Sequence, residues 1–445
     1  MSKPSLVISC PIDTYSGYGA RARDFVKSLI NLNKYDVKIL SQRWGQTPES
    51  FLEENTEWSY LKKYLINNLQ SQPDIWIQHT IPNEFQSIGK FNIGLTAGIE
   101  TTLCKAEWIE GLNRMDLIIG SSNHTLNVFK QSTFEKKDKN TNQTVGYVKI
   151  EKPLEAIFEG IDTNIFKPEK SNFKLNNVKE DFNFLFVGHW MQGNIGEDRK
   201  NVGLLVKIFL ELFKNNKKAP GLILKTSTGS PSNMDREAIL QKIYYIKKGI
   251  KANRFPNIYV VHGDMTNQEL NSLYNHKKVK AMISLTKGEG FGRPLLEFSM
   301  VKKPIITTGW SGHIDFLDKD LSILLGGTLK KVDQSAVNDW IINESEWFNV
   351  DLQSVANGIM GLFTDYNTWE RKGKTQGTNN IKKYSLDKMQ ERIDEVLNNY
   401  IPNFPKQVEL NLPKLNLPKL EKVVEDNKPN LPKLKLPKLE KINNE

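Results

Sequence analysis

The chain has 445 residues, 38% of them hydrophobic and 25% charged, with a formal net charge of +10. That length is too great for one hydrophobic core and argues for two or three domains. No stretch reaches the ~20 apolar residues of a membrane span. The apolar run after Met1 is too short for a signal peptide, and the two cysteines, Cys10 and Cys104, are too few for a disulfide framework and lack metal-ligand spacing. The expectation is a cytoplasmic protein.

Residues 5–11 read as a buried strand, followed by Gly17-Tyr18-Gly19-Ala20 and a helical period over 21–32 with Ala22, Phe25, Leu29 and Ile30 on one face. Gly17 and Gly19 fit the loose glycine fingerprint of a dinucleotide site, which asks for a carboxylate at the end of the second strand. That strand, 35–40, ends in Ser41-Gln42-Arg43, so a nicotinamide or flavin enzyme is disfavoured. Helices are predicted over 57–69, 105–113 and 124–131, strands over 74–78, 91–97 and 116–120, and a lysine-rich surface loop over 134–143. Such alternation predicts a parallel sheet with ligands at the carboxyl ends of its strands. Three spots fall there: His79, Glu100 in Gly98-Ile99-Glu100-Thr101-Thr102, and Ser121-Ser122-Asn123, the last able to serve as a helix cap.

Beyond Gly160-Ile161-Asp162, a turn-like stretch ending at Pro168, the alternation resumes. Strand 181–188 ends in Gly188-His189-Trp190, and Arg199-Lys200-Asn201 opens a helix over 202–215. Strand 222–225 ends at Lys225. A helix over 233–250, a strand over 257–261 and a helix over 267–274 follow. The apolar strand 281–286 then leads into Lys287-Gly288-Glu289-Gly290-Phe291-Gly292-Arg293-Pro294-Leu295-Leu296-Glu297. A glycine-rich turn at a helix N-terminus points backbone N–H groups at an anion or a hydroxylated ligand, and Pro294 suits the first helical turn. After strand 304–308 the pattern reads as helical from 334 to 400, with Trp340 and Trp347 in the core.

The two glutamates eight positions apart around Gly-Phe-Gly-x-Pro, the 158–168 stretch and the order of strand-end signals resemble glycosyltransferase family four, retaining enzymes of the GT-B fold. The resemblance covers about residues 5–400. It implies an α/β protein with two Rossmann-like parallel-sheet domains facing a cleft: 1–168 on the acceptor side, 169–384 binding the nucleotide-sugar, and a terminal helix at 385–400 crossing back. It implies transfer of a sugar from a UDP- or GDP-sugar to a glycan or other hydroxyl acceptor, with no metal and no separate cofactor. Glu289 and Glu100 are the implied catalytic residues, and His79, from its place at a strand end, is a candidate general acid/base or donor contact beside the plainer reading of a satisfied strand-end histidine. Lys200, Arg199, His189, Gly290, Phe291, Gly292, Glu297 and Lys225 would bind the donor, and Gly17 and Gly19 would form the acceptor-side loop. The family places an arginine where this chain has His189, which opens a second reading, a sugar-nucleotide-binding protein without turnover. A third keeps the chemistry on a modified base in DNA, although the lysines are mostly interleaved with acids. Residues 401–445 repeat Leu-Pro-Lys-Leu at 412, 417, 431 and 436. Prolines at that density predict a disordered tail, with docking to a partner as the lesser reading.

Overall fold

The computed structural model describes residues 3–404 apart from 46 and 230, so the Leu-Pro-Lys-Leu repeats lie outside the described residues. The first lobe starts with β1 (Ser5–Cys10), α1 (Gly17–Leu32), β2 (Asp36–Ser41) and α2 (Phe51–Glu54). It continues through β3 (Leu65–Ile66), β4 (Ile75–His79), β5 (Phe91–Thr96), α3 (Ala106–Asn113), β6 (Leu117–Gly120) and α4 (Asn123–Gln131). A hairpin of β7 (Phe134–Lys137) and β8 (Thr144–Val148) precedes β9 (Leu154–Ala156). The sheet order is β3-β2-β1-β4-β5-β6-β9, with every pair parallel.

The second lobe contains β10 (Asn183–Val187), α5 (Val202–Phe213), β11 (Gly221–Lys225), α6 (Asn233–Lys248), β12 (Ile258–Val261) and α7 (Asn267–Asn275). Next come β13 (Val279–Ser284), α8 (Arg293–Met300), β14 (Ile305–Thr308) and β15 (Ile323–Leu325), which complete a parallel sheet of order β12-β11-β10-β13-β14-β15. An antiparallel pair, β16 (Gly327–Lys331) with β17 (Glu346–Val350), is followed by α9 (Leu352–Thr364), α10 (Tyr366–Lys383) and α11 (Leu386–Tyr400). Both faces of the second sheet are covered, which is why its strands read as continuous apolar runs. Alternation along β10 sends Phe184 and Phe186 into one core with Leu205, Phe209 and Ile283, and Leu185 into the other with Ile223, Met282 and Phe298.

In each sheet the strand order reverses beside the first strand, between β1 and β4 and between β10 and β13. Such reversal points open a crevice at the carboxyl ends of the strands. Two segments run side by side between the lobes: Ile161 N–H donates to the Tyr384 carbonyl (3.0 Å) and Leu386 N–H to the Ile161 carbonyl (2.9 Å). Helix α11 then lies along α1 of the first lobe, where Lys34 reaches Asp394 (2.6 Å) and Arg392 reaches Glu155 (2.6 Å).

Four sequence expectations are corrected. The helix expected over 57–69 is a 3-10 helix, Thr56–Tyr64, that gives way to β3. Trp58 and Leu61 stand three apart, the period of that tighter helix, and pairing with β2 takes the chain at Leu65. The expected loop over 134–143 is largely the β7–β8 hairpin, whose turn Asp138 closes by accepting from the N–H groups of Asn140 (2.9 Å) and Thr141 (2.8 Å). Its exposed lysines hide any period-two pattern. Within the span read as helical, 346–350 is a strand. Trp347 is fully buried on it, whereas Trp340 is 43% exposed. Helix α1 begins four residues earlier than expected, at Gly17, because the Ser16 hydroxyl accepts from Gly19 N–H (2.9 Å).

Candidate active site

The second lobe's strand-order reversal brings two segments together, the one after β10 and the one after β13. Lys287 N–H donates to the Arg199 carbonyl (2.7 Å), which fastens them to each other. Asn201 caps α5 in the left-handed conformation (φ 58°), one that asparagine tolerates, and this turns the preceding Lys200 toward the motif. Lys200 Nζ then donates to both oxygens of Glu289, at 2.6 and 2.8 Å. Arg199 Nη1 lies 3.4 Å from Glu289 Oε2 and 3.1 Å from Glu100 Oε1. It also donates to the Gly288 carbonyl (3.0 Å).

Glu289, Lys200, Arg199 and Glu100 therefore form one cluster at the meeting of the lobes, with Glu100 contributed by the first lobe. Glu289 is 7% exposed and its own N–H donates to the Ser311 hydroxyl (2.9 Å). Burial would raise its carboxyl pKa, but Lys200 and Arg199 outweigh that and hold it at about 2. Two cationic and two carboxylate side chains thus face one another in the cluster.

The loop that carries Glu289 is pressed against the first lobe. The Gly290 carbonyl accepts from the hydroxyls of Ser121 (3.1 Å) and Ser122 (2.5 Å). Ser122 also caps α4 by accepting from Thr125 N–H (3.2 Å), so it serves both lobes. A Cβ on Gly288 would meet the Glu100 carbonyl, and one on Gly290 would lie 2.7 Å from the Ala97 carbonyl oxygen. Gly292 (φ 94°) makes the left-handed turn into α8.

The other sequence-derived residues sit as follows. Glu297 is 5% exposed and accepts from Arg293 Nε (2.8 Å) and the Tyr274 hydroxyl (3.4 Å). His189 pairs through Nδ1 with the Ser227 hydroxyl (2.9 Å). Burial, with the charges of Lys200 and Lys225 added, pushes its pKa down and favours the neutral imidazole. Lys225 Nζ donates to the Gly263 carbonyl (2.7 Å). The Phe291 ring packs on Phe316 in the core (centroids 5.1 Å apart), which leaves only its backbone for a ligand. Gly17 and Gly19 belong to the first turn of α1 and not to a loop; a side chain on Gly19 would collide with Thr14 and Pro11.

His79 is not brought to the cluster. It is the last residue of β4, fully buried and stacked on Tyr18 (4.9 Å), with neither ring nitrogen hydrogen-bonded among the described residues. Burial, helped by the neighbouring Arg21 charge, holds its pKa well below the usual histidine range. The sequence reading missed Arg293, although it stands inside the motif, because its partners Asp24 and Glu159 are far away along the chain.

No family model matches the chain, and no curated protein matches it. Solved structures do. A glycosyltransferase from Rickettsia africae ESF-5 aligns over 91% of this chain and 100% of its own, with 14% identity and a TM-score of 0.60. Sucrose-phosphate synthase from Thermosynechococcus elongatus aligns over 89% and 98%, with 12% identity and a TM-score of 0.57. The chain has the GT-B fold. HepE of Anabaena, solved in complex with UDP-glucose, aligns over 89% and 100%, with 13% identity and a TM-score of 0.52. At these identities the likeness is one of fold. No helix among the described residues is long and apolar enough to cross a membrane.

Proposed function

We propose that this GT-B chain is a glycosyltransferase that moves a sugar from a nucleotide-sugar to an acceptor hydroxyl with retention of anomeric configuration, in the manner of family four, for glycan or glycoconjugate synthesis. The observation that carries this reading is Glu289 clamped by Lys200 and Arg199 at the crevice of the second lobe, with Glu100 of the first lobe on the same arginine. A donor diphosphate brings negative charge of its own. Lys200 and Arg199 turn to it, and Glu289 is released to accept hydrogen bonds from the sugar hydroxyls. In the transfer the bond from the anomeric carbon to the diphosphate breaks, a bond to the acceptor oxygen forms on the same face of the ring, and the acceptor's hydroxyl proton passes to the departing diphosphate. The charge developing on the departing diphosphate meets two cations and the N-terminus of α5 in a water-poor site.

UDP-glucose, named with the HepE structure, is the first donor to test. A thermal-shift screen against UDP-, GDP-, ADP- and TDP-sugars should single out one nucleotide, and NMR of the product should show the donor's anomeric configuration kept. Glu289→Ala should abolish both transfer and donor hydrolysis. An inverted product rejects retention. No stabilisation by any nucleotide-sugar, or full turnover in Glu289→Ala, rejects the function.

A further inference from the structure

Arg293 opens α8 in the middle of the Glu289–Glu297 motif, and none of the roles above uses it. Its guanidinium is shared by three carboxylates from three parts of the chain. Nη1 lies 2.8 Å from Asp24 Oδ2 on α1 and 3.7 Å from Glu159 Oε2 in the segment between the lobes. Nε lies 2.8 Å from Glu297 Oε1, one helical turn away. The four side chains are only 7–15% exposed. Arg21 Nη1 stands 3.8 Å from Glu159 as a second cation. Three carboxylates thus face two guanidinium groups out of water, an arrangement held only if its geometry is well satisfied.

A planar guanidinium can serve acceptors on different edges at once, whereas a lysine ammonium in the same place acts as a point charge. The same arginine lines a cavity of about 310 Å³ between the lobes, together with Tyr15, Asp24, Trp58 and Asp264. Glu297, the carboxylate at this end of the motif, keeps its orientation through Arg293.

We propose that Arg293 is a positioning residue: it clasps the second lobe to α1 of the first through Asp24, and it holds Glu297 in place for the ribose hydroxyls of a bound nucleoside diphosphate. The second half of this statement rests on the donor-site reading above, and the clasp does not. Lobe closure and donor orientation are then coupled through one side chain. Loss of the Asp24 contact opens the lobes while leaving nucleotide affinity nearly intact. Loss of the Glu297 contact weakens the nucleotide itself.

The test uses the full chain with UDP as the binding probe and UDP-glucose as donor. Asp24→Asn should keep the UDP dissociation constant within about threefold, lower kcat at least tenfold, and shift small-angle scattering toward a larger radius of gyration. Asp24→Glu should restore both. Arg293→Lys should weaken UDP about tenfold and also open the lobes. The inference is overturned if Asp24→Asn leaves scattering and kcat unchanged. It is equally overturned if every variant loses thermal stability and both kinetic constants in proportion, which marks a purely structural cluster. Should Arg293→Lys fail to fold, Asp24→Asn and its rescue decide the clasp. If the wild-type chain binds neither UDP nor any nucleotide-sugar, the donor reading and the Glu297 role fall together. Scattering of Asp24→Asn then decides the clasp alone.

Discussion

Gly290→Ala tests how tightly the motif loop is seated on the first lobe. The backbone of Gly290 is not in the left-handed region, so an alanine there meets no conformational penalty of its own. Its Cβ would lie 2.7 Å from the Ala97 carbonyl oxygen, where ordinary contact begins at 3.4 Å, so 3.4 − 2.7 = 0.7 Å of separation must be found. Ala97 cannot retreat freely, because its carbonyl already accepts from the hydroxyls of Ser121 (3.1 Å) and Thr125 (2.8 Å). The Gly290 carbonyl is held in turn by Ser121 and Ser122. Overpacking of this kind costs about 1–3 kcal/mol, and losing two hydroxyl hydrogen bonds adds about 1 kcal/mol each. Parting of the lobes relieves the clash without disturbing either core. The variant should therefore shift scattering toward a more open form while its melting temperature falls by about 6–10 °C, at about 2 °C per kcal/mol. Unchanged scattering together with an unchanged melting temperature would refute the close seating. A collapse of the melting temperature would show that the lobes do not part independently of their cores.

Three further outcomes follow from buried charges. Glu289→Gln leaves Lys200 and Arg199 without their shared carboxylate, and removing one partner of a buried pair costs about 3–5 kcal/mol. Its melting temperature should fall markedly, and pyrophosphate or UDP should recover part of the loss; an unmoved melting curve rejects the pairing. In the wild type the folded-state pKa of Glu289 is depressed to about 2, so its contribution is present above the ordinary carboxylate range and is lost as pH falls toward 2, not between pH 7 and 5. Burial instead pushes the Asp198 carboxyl up from 3.8 to about 6. A raised carboxylate pKa favours folding at low pH, and that advantage, about 3 kcal/mol at 1.36 kcal/mol per unit, is lost as pH rises from about 4 to 6. Chemical denaturation across that window should be flatter in Asp198→Asn, and an identical slope rejects the assignment. Finally, Lys303 Nζ donates to the carbonyls of Tyr274 (2.6 Å), His276 (3.0 Å) and Val279 (2.7 Å), tying the end of α7 to β13. Lys303→Met should cost about 2–4 kcal/mol in urea denaturation, because it leaves buried acceptors unpaired. A loss below about 0.5 kcal/mol would place the lysine among surface groups.

The sequence by itself determined the alternation of strands and helices and the position of the motif after β13, because both faces of a covered parallel sheet must be apolar and glycines must stand where the backbone turns sharply. It also put Glu289 and Lys200 each after a strand whose end a parallel sheet directs to one edge, without showing that the two pair. It was silent wherever a short-range pattern is weak or misleading: an exposed lysine-rich hairpin, a 3-10 helix that scans like an α-helix, and Trp347 on a strand inside a helical stretch. Only the tertiary structure decided that His79 is sealed beneath Tyr18, that Arg199 bridges Glu100 and Glu289, and that Arg293 gathers Asp24, Glu159 and Glu297. The reason is physical. Burial and ion pairing depend on distances between residues far apart along the chain, and those distances exist only after each lobe has folded and the two have met.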